Sequence, residues 1–158
     1  MGRSSRPPVV RRLLPWLLGW LGFQALVAIA GWILAWRKNE GDESSSSIRR
    51  VLTTGGMELR PTNPRLTRLR LDLAMAGAEI DLTRIPRPEA GIDLTVRALM
   101  AGLAVRVPAD WRVWWRFRGV GGIGGDGTVQ HTDDERAADL RVHADVLFGG
   151  VGIEGPKA

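Results

Sequence analysis

The sequence predicts an all-β domain, a short β-solenoid-like stack of about five coils, preceded by one N-terminal transmembrane helix. Three observations predict it. Residues 13–36 form a 24-residue run without a charge. Beyond residue 48, apolar residues alternate with polar ones at period two. Within that alternation a small-Gly-apolar step recurs in one phase.

The first element is a basic tail, residues 1–12, with Arg3, Arg6, Arg11 and Arg12 and no acid. The chain from Arg37 onward carries 18 basic and 17 acidic residues, so most of the net charge of +5 belongs to the tail. Such a charge balance argues against a nucleic-acid partner. The uncharged run from Leu13 to Trp36 comes next. As a helix it reaches about 36 Å, enough for a hydrocarbon core about 30 Å thick. Trp16 and Trp20 lie near one end, Trp32 and Trp36 near the other. Paired Trp is what interfacial anchoring produces, because the ring is apolar and its N–H wants water. Pro15 falls in the first turn, where its missing donor costs least. A cleaved signal peptide is the competing reading, since Ala28-Ile29-Ala30 has a small-x-small form. Against it, the apolar run continues to Trp36 and ends in Arg37-Lys38. The denser N-terminal basic flank places the tail inside and the β domain outside the cell membrane, although the basic residues on the two flanks nearly balance.

Residues 37–48 are polar and hold a four-Ser run, the composition of a flexible tether. The β-repeat domain, residues 49–158, follows. Its glycines Gly56, Gly77, Gly102, Gly122 and Gly150 are 21, 25, 20 and 28 residues apart. Leu69, Leu71, Leu73 and Met75 precede Gly77 in one phase. Ile92, Leu94, Val96, Ala98 and Met100 precede Gly102, and Leu140, Val142, Ala144, Val146 and Phe148 precede Gly150. Each unit reads as strand, kink at the glycine, second strand and turn, with one face buried. Glycines kept in phase favour a stack of coils over the alternative, a sandwich of short antiparallel strands with bulges. The first and last coils are then Arg50–Arg60 and Leu140–Gly155. In the fourth unit, a bulge near Gly119 brings Trp115 and Phe117 inside, and residues 131–136 form an excursion loop.

The chemistry of known sites is mostly missing. The chain has no Cys and two His, which excludes a Cys nucleophile or Cys-based metal site. Gly119–Gly124 matches GxGxxG, but Gly125-Asp126-Gly127 follows where a dinucleotide site needs a helix. His131, Asp133 and Asp134 read as solvated loop charge rather than metal ligands. No cofactor, metal or small-molecule substrate is expected. A small hydrolase is a distant reading, for want of a nucleophile–base pair. The Arg/Trp alternation through Arg112, Trp114, Arg116 and Arg118 is the candidate partner-contact face; core packing of one or two Trp between solvated Arg is its plainer explanation.

The segment Ala101-Gly102-Leu103-Ala104-Val105-Arg106-Val107-Pro108-Ala109-Asp110-Trp111-Arg112-Val113, then Gly121-Gly122-Ile123-Gly124, then Leu140 through Glu154, resembles the LiaF-like C-terminal domain of bacterial cell-wall-active-antibiotics response proteins. The resemblance covers roughly residues 50–155. Gly152 departs from it, standing where the family usually has Glu, and one N-terminal helix replaces several membrane helices. The resemblance implies an all-β coiled stack and a role in envelope-stress signalling, often through a sensor kinase. The functional expectation is therefore a non-enzymatic, membrane-anchored interaction or regulatory module, with the lipid bilayer and an envelope protein as partners. A membrane-tethered, self-assembling β-solenoid scaffold is the alternative.

Overall fold

A computed structural model describes residues 39–156, together with Gly22. The basic tail and the candidate anchor, with Trp16, Trp20, Trp32 and Trp36, lie outside the described residues. No helix among the described residues is long and apolar enough to cross a membrane.

The described chain is all-β apart from one short 3-10 turn, Glu135–Ala137. Its strands are β1 (Ser47–Leu59), β2 (Arg68–Asp81), β3 (Ile92–Arg106), β4 (Arg112–Gly125), β5 (Gln130–His131) and β6 (Leu140–Glu154). They form one sheet in the order β1-β2-β3-β6-β4-β5, with every neighbouring pair parallel. Parallel pairing disposes of the antiparallel sandwich. The connections need no helix, because each long strand bends at its middle and the chain returns along a second side.

The bend follows from side-chain phase. In β2 the inward residues are Leu69, Leu71 and Leu73 before it, but Ala76, Ala78 and Ile80 after it. Two successive outward residues, Ala74 and Met75, reverse the phase. Leu99-Met100 in β3 and Leu147-Phe148 in β6 do the same. Both halves of β2, β3 and β6 thus turn apolar rows toward one continuous core. Burying each such Leu, Ile or Val contributes about 1.5–3 kcal/mol, and the rows repeat from strand to strand. Trp111, only 1% exposed, fills the core at the turn before β4.

Five expectations change. First, Met75, Met100 and Phe148 are exposed, because the inward phase stops one turn of the pleat earlier than the sequence pattern suggests. Second, the in-phase glycines do form a column, Gly56↔Gly77↔Gly102↔Gly150↔Gly122. They are not the strained points, however. A Cβ on Gly56, Gly77, Gly102 or Gly122 meets nothing within 4 Å, and none of the five has a positive φ. At the bends the left-handed residues are Gly55, Met100, Gly119, Gly121 and Phe148, one or more positions earlier. Third, β6 is not the last coil in space. It lies between β3 and β4, pairing Leu94↔Val142 on one side and Val113↔Leu140 on the other. Its fully buried Leu140 and Val142 suit a central position, whereas the Gly-rich second half of β4 is exposed and suits an edge. Fourth, the Ser-rich segment is tied down from Asn39 onward. Asp42 accepts hydrogen bonds from the Ser44 N–H and from the Ser44 and Ser45 hydroxyls. Glu40 pairs with Arg49, and Asn39 Oδ1 accepts from the Val51 N–H at 2.8 Å. Local Asx-type bonding converts a polar run into an ordered turn, and β1 starts at Ser47 rather than after it. Fifth, the excursion after β4 is not wholly irregular, since Gln130 and His131 pair with Arg112 and Val113. The bulge is found close to its expected place, as a register shift between Val120 and Gly121. Trp115 and Phe117 pack against the core as partly buried residues.

Candidate interaction surface

The outer side of the first strand halves carries rows set by register. Ser47, Arg68, Asp93, Arg141 and Trp114 make one row; Arg49, Arg70, Thr95, His143 and Arg116 the next. Val51, Asp72, Arg97, Asp145 and Arg118 make the third, with charges alternating in sign from Asp72 onward. Ion pairs stitch neighbouring strands. Arg49 meets Asp72 at 3.0 Å and Arg141 meets Asp93 at 2.6 Å. On the second halves, Arg106 pairs with both Glu79 and Glu154. These pairs are half-buried on the sheet surface and still reach solvent, so each contributes on the order of 1 kcal/mol or less.

Toward β4 the pairing thins. Among the described residues, Arg97, Arg116 and Arg118 have no carboxylate within the 4.0 Å of an ion pair. The Arg116 guanidinium lies 5.9 Å from the centre of the Trp114 ring, and the Trp114 ring meets His143 edge-on at 5.2 Å. Trp114, Arg116 and Arg118 therefore share one outer face of β4 with Arg112. Arg112 is held from behind: its N–H donates to Asp139 Oδ2 at 2.8 Å.

Asp139 is the buried acid of the described chain. Arg87 grips it with two bonds, Nε to Oδ1 at 2.9 Å and a terminal nitrogen to Oδ2 at 2.7 Å. Burial pushes the carboxyl upward, but the Arg87 bonds, the Arg112 N–H and the two guanidinium charges outweigh it and hold it below the ordinary carboxylate range. This cluster braces the turn that enters β6 beside the start of β4, and its role is positional.

Beside the charged rows lies a surface that the alternation pattern missed. A shallow groove of about 610 Å³ runs across Leu52, Leu73, Ala98, Leu99, Val146 and Leu147, with Arg97 and Arg118 on its border. The bends also carry Met75, Leu99, Met100, Val120, Leu147 and Phe148, all large, apolar and exposed, of which Leu99 and Leu147 line the groove. The available signal was local: Leu99-Met100 and Leu147-Phe148 are adjacent apolar pairs, which strict alternation cannot bury together.

The GxGxxG segment lies within β4, and the next element is the short strand β5 where a dinucleotide site needs a helix. Among the described residues no group of three or more His, Asp or Glu is gathered as for a metal. Comparison with family models, curated proteins and solved structures yields no match.

Proposed function

We propose that the protein is a membrane-anchored, non-enzymatic interaction module of the bacterial cell envelope, with a β-solenoid-like domain held outside the membrane by a single span at residues 13–36. The observation that carries the reading is the 24-residue uncharged run, bracketed by basic residues and paired Trp, ending three residues before Asn39, where the ordered turn leading into β1 begins. The parallel, register-matched strands support the solenoid-like stack. The face of Arg112, Trp114, Arg116 and Arg118 offers the unpaired guanidinium groups of Arg116 and Arg118 beside a half-buried Trp114 ring to an envelope protein, a sensor kinase being the class that the resemblance to LiaF-like domains suggests.

The self-assembling scaffold is the second reading, and one observation bears on it. From Trp114 to Gly125, the outer edge of β4 faces no other strand among the described residues. Open edges recruit strands. Here Gly119 and Gly121 have φ of 131° and 135°, and the register shifts beside them, so the edge is broken where a further strand would have to continue. That favours a discrete module. The test is capture from native membranes by the full chain and by an R112S/R116S/R118S variant. Loss of one specific envelope protein by the variant, with its circular dichroism unchanged, supports the reading. Unchanged capture removes this face, and ordered filaments of the purified chain favour the scaffold.

A further inference from the structure

We infer that the apolar bend of the sheet, carried by Met75, Met100, Val120 and Phe148, rests on the surface of the bilayer that anchors the chain. The inference builds on the anchored reading above and adds an orientation to it.

The first argument is cost. Met75, Met100 and Phe148 are 58%, 60% and 57% exposed. Met100 and Phe148 also hold left-handed backbone, with φ of 53° and 61°. A bulky residue in that region costs about 1–3 kcal/mol where glycine would cost little. The register sets Leu99 opposite Leu147 and Ala101 opposite Gly149, so the two strained residues sit side by side on adjacent strands. Two large apolar side chains are thus presented outward at strained positions. Neither the core nor the turn requires their bulk.

The second argument is where the chain enters. Glu40 pairs antiparallel with Arg49, and Asn39 bonds Val51. Traced toward the N-terminus, the described chain is therefore headed along β1 toward its bend at Thr54 and Gly55. At about 3.3 Å per residue, the bend row begins about 10 Å beyond Val51. Trp36, the last residue of the uncharged run, is three residues from Asn39. Three links reach at most about 11 Å. The headgroup layer of one leaflet is only about 5–8 Å thick. A domain tethered this closely to an interfacial Trp cannot stand clear of the membrane, and the side it turns toward the membrane is the bend.

The third argument selects lipid contact over charge attraction. The row next to the bend holds Asp72, Arg97, Asp145 and Arg118, two acids and two bases. Its charge cancels, so contact rests on apolar insertion and should tolerate salt.

The experiment uses the full chain in phosphatidylcholine vesicles. The chain has no Cys, so Met100→Cys, Val120→Cys and, on the opposite turn, Arg65→Cys each place one environment-sensitive fluorophore. Acyl-chain-brominated phosphatidylcholine should quench the labels at 100 and 120 several-fold more than the label at 65. The contrast should persist in high salt and when labelled chain is diluted with unlabelled chain. Equal quenching at the three sites overturns the inference. Protection at the bend that vanishes on dilution overturns it in favour of a second copy as the occupant. An alkaline carbonate wash separates the two claims: release of the chain from the vesicles overturns both the anchor and the inference. Retention with a bend label that lipid does not quench overturns the inference alone.

Discussion

A substitution pair at the glycines tests whether close backbone approach is what requires a glycine at the bend. Gly102 and Gly149 are one register step apart on β3 and β6, since Ala101 pairs with Gly149 and Gly102 with Gly150. Adding a methyl group at Gly102 meets open space, and its φ is not left-handed. Gly102→Ala should therefore be neutral or stabilise by about 0.4–1 kcal/mol, because the unfolded chain loses freedom. At Gly149 the same methyl falls far inside contact distance of the Ala101 carbonyl oxygen and against Val146 Cγ1. The oxygen belongs to the backbone of a paired strand and cannot swing away. Overpacking of this kind costs about 1–3 kcal/mol, and loss of a ladder hydrogen bond adds about 1 kcal/mol. With a urea dependence of about 2 kcal/mol per molar, a loss of about 3 kcal/mol lowers the midpoint by about 1.5 M. The assay is urea unfolding of the full chain in mild detergent, followed by the strand signal in circular dichroism. If Gly102→Ala lowers the midpoint as far as Gly149→Ala, the close approach to the Ala101 oxygen is not what requires glycine at 149 and this reasoning fails.

Other expectations follow from the same geometry. Trp111→Ala should cost about 3–5 kcal/mol, because the side chain is fully buried, and thermal unfolding by circular dichroism measures it. Asp139→Ala should cost about 1–3 kcal/mol by stranding the Arg112 N–H, while loss of the Arg87 pair adds little because Arg87 is half exposed and solvent-screened. The folded-state pKa of Asp139 is depressed, so its contribution is complete above the ordinary carboxylate range and is lost as pH falls through the folded value. Acid titration of Asp139→Asn should accordingly show a flatter fall in stability below that range than the parent chain. Met100→Gly should stabilise the domain by about 1 kcal/mol through relief of left-handed strain, a change readable as a raised unfolding temperature.

Much of the architecture was legible because it rests on repetition. Leu69/Leu71/Leu73 and Ile92/Leu94/Val96 announce strands buried on one face, and the in-phase glycines do align in register. The order of the strands was not legible. Nothing local in Leu140–Glu154 distinguishes a central strand from a terminal one; the answer depends on which neighbours its two edges find. The exposed bend was hidden for a related reason. Met75 and Met100 continue the alternation in letters, while the backbone reverses phase beneath them. Hydrophobic patterning reports which residues can be buried and leaves open where a bend returns them to solvent. The outer face of β4 was half legible. The Arg/Trp alternation placed Arg116 and Arg118 outside, but Asp139 as the brace behind Arg112 depends on a contact across 27 residues.

The insertion of β6 between β3 and β4 bears on how the molecule can be made. A simple stack of coils grows like a ladder, each rung closing on the one before. Here β1, β2 and β3 can close in the order of synthesis, but β4 emerges before the strand on which it must lie. Until β6 arrives, β3 keeps an open edge beside the glycine column, and β4 has only the two-residue β5 to pair with. If β4 joined β3 directly, it would occupy the slot and leave β6 outside, a misassembly within reach of a sheet whose strands share one pattern. The broken backbone at Gly119 and Gly121 guards against that outcome, since a bulged strand makes a poor substitute for the regular one β3 receives. Completion of the sheet is then a single late event in which one strand docks on two edges at once.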